Sequence, residues 1–303
     1  MKPRDLATLL LLAAIWGASF LFIRVAAPVL GPVALMEARV LLASVALVVY
    51  ALALRRFPEL RPRWRAYLIL GAINAAAPFT LIATAELTLT ASLAAILNAT
   101  TPLFAAIVAA VWLCERLTGR RALGLVLGLA GVAVLVGWSP LPLNGSVILA
   151  VVTSLAAALC YALGGVYSSR AFGGAPPLAL AVGQQFGATA VLLPFVAVRP
   201  PVSAPSGAVV LTVLALALLP TAFGYILYFR LIANVGPTKT LTVTFLVPVF
   251  GLLWSAIFLR ESVGAGTLVG LAIILSSLTL VTGMRPGALR RPALAASRAR
   301  HAK

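Results

Sequence analysis

Apolar residues run in unbroken blocks rather than in alternation, and each block is about as long as a bilayer is thick. A helical span needs roughly 20 apolar residues to cross the hydrocarbon. Ten blocks of that kind fit the chain: 6–26, 32–54, 66–87, 91–114, 119–138, 146–169, 176–198, 208–230, 238–259 and 264–283. Continuous runs predict helices and exclude a membrane β-barrel, whose strands alternate. The connections are short, and no stretch outside the blocks is long enough for a soluble domain. The expected fold class is an all-α integral membrane bundle of ten transmembrane helices.

The second half repeats the first at an offset of 146 residues. Pro102 falls on Pro248, Phe104 on Phe250, Glu115 on Glu261 and Gly124 on Gly270, among seven identities over the 24 positions from 102 to 125. The same offset carries Arg24 onto Arg170. Each copy holds five spans, and an odd number sends the second copy into the membrane from the opposite side. That is an inverted repeat, an architecture of carriers that expose one central site to two faces in turn. The expected organisation is a first five-helix repeat at 6–138, a second at 146–283 and a basic tail at 284–303.

Composition agrees: 62% of the 303 residues are hydrophobic and 10% charged. The net charge of +17 invites a nucleic-acid reading, but its placement argues for a membrane. With the N-terminus placed in the cytoplasm, 19 Lys and Arg fall in inner segments and 3 in outer ones (Arg24, Arg199, Arg260), while Arg39 lies within a span. This asymmetry is the positive-inside pattern, and it predicts a multi-pass protein with both termini cytoplasmic. The tail after Met284 is expected to lie against anionic lipid headgroups. No stacking platform or groove-reading element supports nucleic-acid binding. The first apolar run, behind Lys2 and Arg4, is read as an uncleaved span rather than a signal peptide, because cleavage would remove one member of the repeat. Cys114 and Cys160 suggest neither a disulfide framework nor a metal site.

Polar residues inside a membrane face the bundle interior or water. Arg24, Glu37, Arg39 and Glu86 share the outer depth of the first repeat. They read either as a structural ion-pair network or as a charged outer gate. Near the middle, span 3 carries Asn74 and Pro78, span 4 Asn98, Thr101 and Pro102, span 8 Pro220 and Thr221, and span 9 Thr244 and Pro248. Proline removes a backbone donor and frees a carbonyl one turn earlier. Spans 3, 4, 8 and 9 are therefore expected to be interrupted, and interrupted spans at matching places in two repeats point to a substrate site. Trp16, Ser19 and Phe20 form a stripe on span 1, Tyr161 lies within span 6, and Tyr225 and Tyr228 follow Thr221 on one face of span 8. These aromatics are too deep for an interfacial belt. The expected substrate-binding set is Trp16, Ser19, Phe20, Asn74, Asn98, Thr101, Tyr161, Tyr225 and Thr244, around a cavity suited to a zwitterion with a variable side chain. Of Gln184 and Gln185 in span 7, only one can face inward. Gly124 and Gly128, like Gly266 and Gly270, are small-residue pairs that allow close helix approach. They make spans 5 and 10 peripheral packing helices, with a monomer or a weak homodimer both open.

Trp16-Gly17-Ala18-Ser19-Phe20, Arg39, and the stretches Pro102–Glu115 and Pro248–Glu261 resemble the drug/metabolite transporter superfamily in its two-repeat EamA-like branch. The resemblance covers about 6–283, and within that branch it extends to YddG-type amino-acid exporters. It implies inner-membrane carriers, a cavity built from spans 1–4 and 6–9, and export of aromatic and some aliphatic amino acids. Trp16, Ser19, Asn98, Tyr161 and Tyr225 fall on the cavity-lining spans. The chain departs from sugar-phosphate relatives in lacking a lysine–arginine pair inside the spans, which argues against a phosphorylated substrate.

An intramembrane enzyme would need a histidine, an aspartate pair or an activated nucleophile in the spans. The one histidine is His301 and the one aspartate Asp5, so no catalytic residue, metal or cofactor is expected. A channel would need a continuous polar path. A membrane scaffold without transport is the remaining rival, along with a proton-coupled exporter of other metabolites or drugs. Arg24 and Arg39 supply positive charge near Glu37 and Glu86, and no acid stands beside Asn98 and Tyr225. The expectation is therefore a facilitator. Orientation is directly testable. A cysteine placed in the 55–65 loop should be shielded from an impermeant thiol reagent in intact cells, and one near Asn144 should react; reversed accessibility would sink the topology.

Overall fold

The computed structural model describes residues 1–56, 58–139, 141–198 and 205–283; Arg199 and the basic tail 284–303 lie outside the described residues. The described residues form helices and connections, with no strand among them. Ten helical spans run in chain order. They are α1 (Pro3–Leu30), α2 (Pro32–Ala53), α3 (Arg61–Ala85), α4 (Ala91–Trp112), α5 (Gly119–Gly137), α6 (Gly145–Ala171), α7 (Pro177–Val198), α8 (Gly207–Val235), α9 (Val243–Phe258) and α10 (Ala265–Thr282). Nine are long and apolar enough to cross a bilayer, and α9 is shorter. Its 16 residues rise about 24 Å, short of the roughly 30 Å hydrocarbon, and a one-turn helix at Pro237–Thr240 precedes it.

The helix ends follow local chemistry. The side chains of Thr118, Asn144 and Ser206 accept from backbone N–H groups at the starts of α5, α6 and α8. Gly31 and Gly236 end α1 and α8 with positive φ, which a residue without Cβ adopts freely.

Contacts between the halves come in mirrored pairs. Helix α1 packs on α9 as α6 packs on α4; α1 packs on α8 as α6 packs on α3; α2 packs on α7, α4 on α9 and α5 on α10. Each pairing maps onto another, or onto itself, when the repeats are exchanged. The short link between α5 and α6 sets α6 antiparallel to α5, so the second repeat is inverted relative to the first.

Three of the four expected interruptions are present. Helix α3 carries a π-helical turn at Ala72–Ala76, ahead of Pro78, and α8 carries one at Ala217–Phe223, around Pro220. Helix α4 breaks between Asn98 and Thr101, just before Pro102. Helix α9 departs from the expectation. It runs unbroken through Pro248, and its discontinuity lies earlier, in the turn at Leu241–Thr242. Several spans also run past their apolar blocks, as α1 does at both ends and α3 at its start.

The glycines of spans 5 and 10 are used inside the chain. A Cβ on Gly124 would lie 2.7 Å from Val281, and one on Gly270 would lie 2.7 Å from Leu135. That face therefore joins α5 to α10 and is not free for a second protomer. The α1–α9 crossing is equally close: a Cβ on Gly17 would meet the Phe250 Cβ at 2.7 Å and the Gly251 nitrogen at 2.8 Å. Because one of those neighbours is backbone, Gly17→Leu should force α1 from α9 and lower stability by about 1–3 kcal/mol. The check is thermal unfolding of the purified protein in detergent, and an unchanged midpoint would contradict this packing.

Candidate functional site

The site begins with backbone accounting. Hydrocarbon offers no water to a freed backbone group. Pro220 has no N–H to give the Leu216 carbonyl, and the Thr221 hydroxyl donates to that carbonyl at 3.0 Å. The π turn also sends the Gly224 N–H to the Leu219 carbonyl. The Pro220 carbonyl is taken instead by the indole Nε1 of Trp16, at 2.9 Å. Thr221 Oγ1 in turn accepts from Arg39 Nε at 2.9 Å. Repair of one interrupted helix thus fixes a tryptophan from α1 and an arginine from α2.

A second chain of bonds joins α3, α7 and α8. Asn74 Nδ2 donates to Gln184 Oε1 at 2.7 Å, and Gln184 Nε2 donates to the Tyr225 hydroxyl at 2.7 Å. Asn74 lies in the π turn of α3, and Gly164 of α6 passes so close that a Cβ there would meet its Oδ1 at 2.5 Å. At the break in α4, Thr101 Oγ1 donates to the Asn98 carbonyl at 2.7 Å.

These elements enclose a cavity of about 300 Å³, at the lower end of the roughly 300–1,000 Å³ typical of small-molecule sites. All nine residues expected from the sequence line it: Trp16, Ser19, Phe20, Asn74, Asn98, Thr101, Tyr161, Tyr225 and Thr244. Pro102, Pro220 and Pro248 line it too, while Pro78 is buried in the packing behind it. The walls are largely aromatic and aliphatic. Trp16 and Tyr228 lie 5.4 Å apart, and Phe79 meets Tyr161 edge-on at 6.2 Å. A second groove, of about 680 Å³, opens between α2, α7 and α8 beside Arg56 and Arg230, and Tyr225 lines both volumes.

The four charges of the first repeat make no ion pair with one another. Arg39 lines the central cavity rather than standing at the outer end, with its guanidinium 3.7 Å over the Phe79 ring. Arg24 donates to the backbone carbonyl of Glu86, not to its carboxylate. Both carboxylate oxygens of Glu37 and of Glu86 are buried without a hydrogen-bond partner. Among the described residues the ion pair present is Arg121–Glu115, at 3.1 Å and exposed.

Two features were not read from the sequence. Gln184 was one of an undecided pair, and it is the member that bridges Asn74 and Tyr225; Gln185 is buried with its amide unpartnered. Glu261 caps a helix of the other repeat. Its carboxylate accepts from the Ala91 and Ser92 N–H groups at 2.8 and 3.1 Å and from the Ser92 hydroxyl at 2.6 Å, at the start of α4. The offset that pairs Pro102 with Pro248 pairs Glu115 with Glu261, but a cap across repeats leaves no signal in local spacing.

Ten membrane-crossing helices in two inverted halves, meeting around one central cavity, have the architecture of a multi-pass membrane transporter. The EamA-like transporter family matches residues 5–137 and again 148–283, and the chain belongs to that family. It is 26% identical over 297 residues to the "Uncharacterized transporter YvbV" of Bacillus subtilis (strain 168), covering 92% of each chain. A solved structure described as "Crystal structure of protein" shares its fold, with a TM-score of 0.65 at 18% identity over 93% of this chain and 97% of that one.

The Thr221 hydroxyl serves two partners at once, so Thr221→Val, which keeps the shape, should remove its bond to the Leu216 carbonyl and leave Arg39 Nε unpaired. A loss of about 1–3 kcal/mol is expected, read as a lower unfolding midpoint in detergent. A variant as stable as the parent would show that neither bond holds the π turn.

Proposed function

We propose that the chain is a secondary transporter of the inner membrane that exports small metabolites, foremost amino acids with aromatic or aliphatic side chains, by alternating access. The observation that carries the reading is the cavity between the repeats. Its apolar and aromatic walls suit a variable side chain, and its few amides, hydroxyls and one cation suit a fixed polar head. The resemblance to amino-acid exporters points the same way.

The two ends of the bundle support alternation. At one end Glu261 ties the α9–α10 connection to the start of α4 through three hydrogen bonds. At the other end its repeat mate Glu115 is 47% exposed and holds Arg121. A symmetric scaffold with one end fastened and the other loose is what a carrier caught facing one side requires.

Among the described residues no acidic side chain lines the cavity, which supports a facilitator moving its substrate down its own gradient. One observation favours proton coupling instead: Glu37 and Glu86 are buried carboxylates without partners. The test is uptake by purified protein in proteoliposomes across a panel of amino acids. Leucine and phenylalanine should move, and Asn98→Ala and Tyr225→Ala should each cut uptake by about tenfold, the equivalent of one hydrogen bond. Normal uptake by the double variant would place the site elsewhere. Uphill accumulation driven by a pH gradient alone, and lost in Glu86→Gln, would replace the facilitator with an exchanger.

A further inference from the structure

The central cavity contains a cation that has no ion-pair partner among the described residues. Arg39 is 6% exposed and lines the cavity. Its Nε is taken by the neutral Thr221 hydroxyl, and one face of the guanidinium covers Phe79. Nη1 reaches the Met36 thioether at 4.0 Å, a weak acceptor. No carboxylate lies within ion-pair distance, since the ion pair among the described residues is Arg121–Glu115. A charge inside a membrane is retained where it has a counter-ion, water or a function. The planar fork of a guanidinium matches a carboxylate with two parallel N–H donors.

The cavity wall also carries the opposite need. Asn98 Oδ1 is a buried acceptor without a donor, on the break of α4. The Trp16 and Tyr228 rings supply aromatic surface to the same cavity, which attracts an ammonium group. A cation without an anion and an amide oxygen without a donor are complementary demands, and a zwitterion meets both.

We propose that Arg39 determines the substrate class of this cavity: it holds a single carboxylate, that of an α-amino acid whose ammonium group is directed to Asn98 Oδ1. The proposal rests on reading the cavity as the substrate site. It excludes phosphate esters on its own terms, because among the described residues no second cation lines the cavity to balance a dianion. It also excludes compounds without an anionic group, which leave Arg39 unpaired.

The experiment compares three probes of one shape on the full-length protein in proteoliposomes: phenylalanine, phenylalaninamide, which lacks the carboxylate, and 3-phenylpropionate, which lacks the ammonium group. The parent should prefer phenylalanine to the amide by about 10- to 100-fold in uptake efficiency, as expected for a charge-assisted bidentate pair. Arg39→Gln should remove that preference, bringing phenylalanine uptake down to the level of the amide. Arg39→Lys, which keeps the charge and loses the fork, should restore part of it. A merely structural arginine would depress all three probes together and leave their ratio intact. Equal handling of acid and amide by the parent overturns the proposal, as does an unchanged ratio in Arg39→Gln. If Arg39→Gln fails to fold, the parent's acid-to-amide ratio and the lysine variant decide. Uptake of 3-phenylpropionate but not phenylalanine, dependent on Arg39, would keep the anchor and refute the amino-acid reading. No difference among the three probes refutes the anchor.

Discussion

Hydrocarbon leaves no backbone polar group unpaired without cost, and the centre of this molecule is organised by that constraint. Pro220 breaks the ladder of α8. The carbonyl it cannot serve is met by Thr221, and the carbonyl released by the π turn is met by Trp16. Thr221 then orients Arg39, whose guanidinium lies on Phe79. Four helices thus contribute side chains to one repair. The polar lining of the cavity is in part a consequence of how an interrupted helix is made tolerable in a membrane. The alternative, a continuous α8, would leave Trp16 and Arg39 without those acceptors.

The repeat supplies the scaffold, and its imperfections supply the chemistry. The π turn of α3 at Ala72–Ala76 and that of α8 at Ala217–Phe223 stand at equivalent places, 146 residues apart. The residues on them differ: Asn74 corresponds to Pro220, Asn98 to Thr244 and Arg39 to Gln185. A perfectly symmetric pair of halves would present the same groups from both sides. Instead the first half contributes a cation and two amides, Asn74 and Asn98, and the second the tyrosine hydroxyls and the Gln184 bridge. A cavity built this way has a direction, with different groups facing in from each repeat.

Much of this was legible in the sequence. Helix number and repeat offset follow from block length and identity, because the bilayer fixes the first and the inverted scaffold preserves the second. The lining residues were legible too, since a polar side chain deep in an apolar block has few places to go. Depth along a single helix is a poorer guide to neighbours. Arg39 was grouped with Arg24, Glu37 and Glu86 by counting along the spans, but its partner, Thr221, is 182 residues away on another helix. The choice between Gln184 and Gln185 turned on which face of α7 meets α3 and α8, which periodicity alone does not say. The cross-repeat cap of Glu261 was hidden for the same reason. Pro248 misled in the other direction: proline signals a missing hydrogen bond, not the size of the distortion that follows, and α9 absorbs it without a break.

Tyr225 shows how few groups separate the cavity from its surroundings. It lines the central cavity and also the groove beside Arg56 and Arg230, so one side chain forms the wall shared by the two volumes. Its hydroxyl is held by Gln184, which is held by Asn74, so its position is set from α3 and α7 as well as from its own helix. Asn74 lies in the π turn of α3 and Tyr225 follows the π turn of α8 directly. Any movement of one repeat against the other that strains these turns is therefore transmitted to the wall through two hydrogen bonds. The same irregular backbone that supplies the polar lining also holds the side chain that lines both the cavity and the groove.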